Sequence, residues 1–207
     1  MGKADIYDCL SDLSYGLMST RSLNTLCVAI FINDLNDTGF SSALNSLTRG
    51  LSLNSSVTTV TLTITVAAYQ TDYIGLPVTL DYALSMNTSI TTLNVTINEC
   101  GDGESDIPLF LHTFGVFRSL KDNTSVTTFN LTLNSNKEVS DYWLTGLSSV
   151  LMANTTLTTL RLKVYNHCAT GESRLYDFSK ILIESRSLSL LELDVSFYGK
   201  ESGCHKV

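Results

Sequence analysis

Charge is scarce in this sequence. Lys and Arg number 13 and Asp and Glu 20 in 207 residues, a charged fraction of 16% with a formal net charge of −7. No basic stripe exists to follow a phosphate backbone, so nucleic acid is not an expected partner. Paired cysteines are missing as well: Cys9, Cys27, Cys100, Cys168 and Cys204 form an odd, scattered set without a CxxC. A disulfide framework is not expected, and free thiols in a reducing compartment fit this usage. No stretch reaches the roughly 18 unbroken apolar residues of a membrane span. The opening MGKADIYDCLSDLSYG carries Asp5 and Asp8, lacks the apolar run of a signal peptide, and has Ile6 where myristoylation would need another residue type. The expectation is a soluble, cytoplasmic protein.

What is present is a repeat. The hydrophobic fraction of 43% is enough for a continuous core, with Ser, Thr and Asn supplying most of the polar surface. The segments SLNTLCVAI, SVTTVTLTI, SITTLNVTI, SVTTFNLTL, TLTTLRLKV and SLSLLELDV align without gaps. Their second residues, Leu23, Val57, Ile90, Val126, Leu157 and Leu188, serve as anchors and lie 34, 33, 36, 31 and 31 residues apart. Apolar residues follow each anchor at three, five and seven positions, as in Val60, Leu62 and Ile64. That alternation predicts a half-buried strand.

Upstream the period changes. Six residues before every anchor stands a leucine: Leu17, Leu51, Leu84, Leu120, Leu151 and Leu182. Ten before are Leu13, Leu47, Leu80, Val116, Leu147 and Phe178; thirteen before are Leu10, Leu44, Pro77, Thr113, Leu144 and Leu175. Steps of three and four place these residues on one face of a helix. Three before the anchor come Thr20, Asn54, Asn87, Asn123, Asn154 and Ser185. Asn tolerates the left-handed conformation that ends a helix, which predicts a cap there. One unit cannot bury its own apolar strand face, whereas stacked units share a core.

With L-x-x-L-x-L strands, one helix per unit and units above 30 residues, the chain resembles the leucine-rich repeats of the ribonuclease-inhibitor type. The N-x-S-[LV]-T-T-L-x-L phrasing is similar to the repeat regions of Nod-like receptors and related invertebrate proteins. The resemblance implies an α/β solenoid, a right-handed horseshoe of six strand-helix units with a parallel sheet on the concave side and helices on the convex side. It also implies a non-catalytic, ligand-sensing module for a protein partner in innate immunity, with no cofactor. Residues 1–207 form one such domain, expected to be a piece of a longer repeat array or of a receptor with an effector domain. The family's asparagine eight residues after the first strand leucine occurs only as Asn98 and Asn134, so a ladder at that end of the strands is not expected.

If the leucines face inward, the residues between them form the binding surface. It consists of Thr61, Thr63 and Thr65; Asn94, Thr96 and Asn98; Asn130, Thr132 and Asn134; Arg161, Lys163 and Tyr165; and Glu192, Asp194 and Ser196, after Cys27, Ala29 and Phe31 in the first unit. In register, Arg161 would pair with Glu192 and Lys163 with Asp194. One reading is two surface ion pairs; the other is a charged contact patch anchored by tyrosine and arginine. A regulatory or scaffold subunit of an enzyme assembly, a ligase adaptor or a GTPase-activating repeat protein, is the alternative function. Thr rows could order water as in ice-binding solenoids, but Thr also simply suits strands.

Features of other chemistries are thin. His112, the neighbours His167 and Cys168, and the pair Cys204 and His205 do not make the short paired spacings of a zinc site, and sequence adjacency does not make a Cys–His nucleophile. GDGESD at 101–106 lacks the later glutamate of a calcium-binding EF-hand and reads as a solvated insertion. Trp143, placed just ahead of a helix, reads as a packing residue. Seven Asn-x-Ser/Thr sequons, at Asn36, Asn54, Asn87, Asn94, Asn123, Asn130 and Asn154, mostly fall at two fixed places in the repeat, which favours a structural explanation over glycosylation.

Overall fold

The computed structural model describes residues 3–32, 38–66, 82–99, 110–135 and 142–166, together with 179, 182–183, 185 and 187–197. In chain order these hold α1 (Lys3–Ser19), β1 (Thr25–Ile32), α2 (Thr38–Leu53), β2 (Thr59–Val66), β3 (Thr92–Glu99), α3 (Phe110–Asp122), β4 (Thr128–Ser135), α4 (Tyr142–Ala153), β5 (Thr159–Asn166) and β6 (Leu190–Phe197). Residues 82–86 are helical between β2 and β3, and 182–183 precede β6 in the same way. The six strands make one parallel sheet in the order β1-β2-β3-β4-β5-β6. This is the expected leucine-rich-repeat solenoid. Parallel neighbours need a crossover connection, and the helix of each unit supplies it.

Register follows the sequence alignment residue for residue: Leu62 lies beside Val28 on one side and Val95 on the other, and Leu162 beside Leu131 and Leu193. Because side chains alternate, that register puts one apolar row of every strand on the helix side. Val60, Leu62 and Ile64 are buried there, as are Leu93, Val95 and Ile97, Phe129, Leu131 and Leu133, and Leu160, Leu162 and Val164. The leucines six before the anchor, Leu17, Leu51, Leu84, Leu120 and Leu151, close the core from the helices. Phe117 of α3 meets Phe129 of β4 edge to face, with ring centroids 6.3 Å apart.

Two details differ from the expectation. Leu13, placed on the inward face of the first helix, is 36% exposed. Among the described residues α1 packs only against α2 and its own strand's core, so its other flank stays open. Trp143 stands within the first turn of α4 and not ahead of it. The loop at 101–106 and the helix positions Pro77, Leu80, Leu175 and Phe178 lie outside the described residues.

The asparagine before each strand does end its helix, for a reason that differs from the one expected. The Asn54, Asn87, Asn123 and Asn154 backbone N–H groups close helical bonds to Gly50, Ala83, Ser119 and Val150. Their side chains are buried and join one unit to the one before. The Asn87 Nδ2 donates to the carbonyls of Leu51 (2.7 Å) and Asn54 (2.9 Å), while its Oδ1 accepts from the N–H of Ser89 (2.9 Å) and Ile90 (2.8 Å). Asn54, Asn123 and Asn154 repeat the arrangement. Only a side chain with two donors and a carbonyl at this length satisfies both the orphan carbonyls of the preceding unit and the N–H groups of its own turn. An asparagine ladder is therefore present, at the start of the strands and not after them. It also accounts for four of the sequons, whose amides are consumed inside the protein.

Candidate functional site

Besides the row that opens the strands, Thr25 through Leu190, the sheet face away from the helices carries three rows of side chains running across the strands. The row formed by Cys27, Thr61, Asn94, Asn130, Arg161 and Glu192 is in register throughout. Within it the hydrogen bonds from β3 to β5 all donate toward the preceding strand. The Asn94 Nδ2 donates to the Thr61 Oγ1 at 2.9 Å, the Asn130 Nδ2 to the Asn94 Oδ1 at 2.5 Å, and the Arg161 Nη1 to the Asn130 Oδ1 at 3.5 Å. The Arg161 Nε donates to the Glu192 Oε2 at 2.7 Å. Five strands are thus joined by one chain of side-chain bonds in which Arg161 is the donor in both directions.

The row of Phe31, Thr65, Asn98, Asn134, Tyr165 and Ser196 holds a second, shorter chain. The Asn134 Nδ2 donates to the Asn98 Oδ1 at 2.6 Å and the Asn98 Nδ2 to the Thr65 Oγ1 at 3.2 Å. Identical N-x-T-x-N segments in β3 and β4 make both chains possible, since parallel register sets like beside like. Linked amides polarise one another, and each is less free to bond elsewhere.

The expected Arg161–Glu192 ion pair is present, between half-exposed side chains. The expected Lys163–Asp194 pair is not found among the described residues, although the two Cα atoms are partners in register. Asp194 instead accepts from the Tyr165 hydroxyl at 2.8 Å, a diagonal contact across the strand pair. A rigid phenol needs few fixed torsions to hold that bond, whereas the lysine stem would lose several.

The middle row, Ala29, Thr63, Thr96, Thr132, Lys163 and Asp194, is different. Among the described residues nothing bonds the side chains of Thr63, Thr96, Thr132 or Lys163, and Lys163 is exposed. The surface therefore has two stapled margins around an open centre of hydroxyls, with a cation toward the β5 end. Sequence reasoning found all of these residues but not which of them are already engaged.

No three His, Cys, Asp or Glu side chains converge among the described residues. His112 lies in α3; His167, Cys168, Cys204 and His205 lie outside the described residues. No described helix is long and apolar enough to cross a membrane.

No family model and no curated protein sequence matches the chain. Solved structures do. One is leiomodin-1 actin-binding site 2, 17% identical, covering 87% of this chain and 89% of the other with a TM-score of 0.54. Another is the tropomodulin C-terminal domain of Caenorhabditis elegans, 11% identical over 86% of this chain and 92% of the other, with a TM-score of 0.50. At these identities the likeness is one of fold, and this chain shares with both an open parallel sheet of repeated strand-helix units, a leucine-rich-repeat architecture.

Proposed function

We propose that the chain is a non-catalytic protein-binding module that meets its partner with the outward sheet face. The observation that carries this is the division of that face. Among the described residues Thr63, Thr96, Thr132 and Lys163 keep their polar groups unengaged, while the flanking Asn rows, Arg161 and Tyr165 are held by neighbouring side chains. Groups fixed before binding lose little freedom on binding, and Arg and Tyr are favoured contact anchors. The N-x-S-[LV]-T-T-L-x-L phrasing supports the finer reading, a cytoplasmic sensing region similar to that of Nod-like receptors.

The test is affinity capture from native lysate with three folded proteins: wild type, a Lys163→Glu/Tyr165→Ala double variant, and Arg49→Glu as a control on the exposed side of α2. A specific protein retained by wild type and control but lost by the double variant is the expected result. Equal retention by all three would move the site to the helices and end the sheet-face reading. A second reading, actin as the partner, is favoured by the name of the leiomodin structure. Co-sedimentation of the purified chain with filamentous actin decides it: pelleting that the double variant loses supports actin, and a chain left in the supernatant excludes it.

A further inference from the structure

Between helix and strand, the second to fifth units carry the segments SSVTT, TSITT, TSVTT and TTLTT, at residues 55–59, 88–92, 124–128 and 155–159. The one apolar residue in each is the buried anchor, and every other side chain bears a hydroxyl. Part of this uniformity is structural. The Thr58, Thr91, Thr127 and Thr158 hydroxyls each donate to a main-chain carbonyl of the preceding unit at 3.2 or 3.3 Å. Ser89, Ser125 and Thr156 reach back in the same way. The position that opens each segment has no such duty. Thr88, Thr124 and Thr155 are exposed, and among the described residues nothing bonds their hydroxyls. A lysine or glutamate would fit there without breaking a bond, and Arg21 takes that place in the first unit. From the second unit to the fifth it holds only Ser or Thr.

The rows also keep one step. The Thr58 carbonyl accepts from the N–H groups of Thr91 and Thr92 at 2.9 and 3.0 Å. The Thr91 carbonyl accepts from Thr127 and Thr128, and the Thr127 carbonyl from Thr158 and Thr159, at the same two distances. Identical bonds set identical spacing, so the hydroxyls of a row recur at the strand interval of about 4.8 Å. Threonine is stiff about χ1, which fixes each hydroxyl and methyl in place. We infer that this rim binds ice. Oxygens along the a axis of hexagonal ice recur at nearly this interval, and neutral hydroxyls interleaved with methyls can join the bonding of its surface layer. Ions are excluded from the ice lattice, which accounts for the missing charge at the opening position. A macromolecular partner accounts for it less well. Protein contacts are anchored by aromatic residues and Arg, with Ser and Thr under-represented, while phosphate groups need cations. Lys163 lies five residues from Thr158 along extended chain, about 16 Å away, so the inference is independent of the sheet-face contact.

Ice-crystal shape and the recrystallisation of a polycrystalline ice film, in solutions of the purified 207-residue chain, test this against serum albumin at equal mass concentration. A Thr88→Lys/Thr124→Lys double variant puts two ammonium groups in the opening row, where both side chains are exposed. Far-UV circular dichroism verifies that it folds. The Lys163→Glu/Tyr165→Ala variant serves as the control away from the rim. Wild type and control are expected to facet growing crystals and hold the grain size constant, and the rim variant to lose both effects. A wild type indistinguishable from albumin overturns the inference and leaves the sheet-face contact untouched. So does a rim variant that facets ice as the wild type does, which would place the activity on another surface.

Discussion

The side-chain amide of Asn87 donates to the main-chain carbonyl of Leu51, 36 residues earlier, at 2.7 Å inside the protein. The bond ties the turn of one unit to the helix end of the unit before it, and the same link recurs from Asn54, Asn123 and Asn154. Apolar stacking brings the units together. These amides determine which turn sits over which helix end, because an unpaired carbonyl there is costly to leave buried.

Replacing Asn87 with Ala takes the acceptor from the N–H groups of Ser89 and Ile90 in a buried place and leaves the Leu51 and Asn54 carbonyls of the preceding unit with one donor each instead of two. At about 1–3 kcal/mol per unsatisfied group, partly relieved by relaxation, the loss should be about 3 kcal/mol. Urea unfolding of the variant against wild type measures it. A loss under about 1 kcal/mol would mean that the ladder adds nothing beyond the packing around it.

Ser185 takes the ladder position in the sixth unit, and among the described residues its buried Oγ has no hydrogen-bond partner. Ser187 reaches the Asn154 carbonyl, but the bridge to the helix of the fifth unit is missing. Ser185→Asn should restore it and raise stability by about 1 kcal/mol, the net worth of one buried hydrogen bond. Hydrogen exchange should show the gain concentrated in the β6 amides, and unchanged protection there would count against the ladder.

Two helical glycines mark close approaches. A Cβ at Gly50 would lie 2.8 Å from the Ser14 carbonyl oxygen of α1, and one at Gly146 would lie 2.6 Å from the Phe117 ring. Alanine is favoured over glycine inside a helix by about 1 kcal/mol. At Gly50 the obstacle is backbone, which cannot turn aside, so Gly50→Ala should destabilise despite that gain. Overpacking of about 1–3 kcal/mol is the expected scale, read from the shift in the denaturation midpoint. Gly146→Ala should cost less if the Phe117 ring can pivot, and its circular dichroism in the aromatic region reports that movement.

Arg161 and Glu192 pair at 2.7 Å, yet their side chains are 38% and 54% exposed. A double-mutant cycle with Arg161→Ala and Glu192→Ala should give a coupling of about 0.2–1 kcal/mol, decreasing with added salt. A much larger coupling would mean that the chain of bonds through Asn130 and Asn94 acts cooperatively.

The six-unit count, the strands, the helices and the outward residues were all legible in the linear pattern. Period two and period three-to-four follow from backbone geometry and therefore show in the sequence wherever one face is buried. The Arg161–Glu192 pair was legible because in a parallel solenoid the alignment of repeats is the register of strands. Two features were not. The asparagine recurred visibly, but its acceptors lie in the preceding unit at a distance no local spacing encodes, so it read as a cap. Lys163 and Asp194 were aligned correctly, but Tyr165 reaches the carboxylate diagonally, and rotamers are chosen among spatial neighbours.

Sequence alone determined the repeat, its register and the polar rows, because each follows from which residues must leave water. Tertiary structure alone decided which of those polar groups bond one another, where the asparagine amides go, and that Leu193 remains half uncovered. Those outcomes depend on distances between units, and a distance between units exists only once the units have stacked.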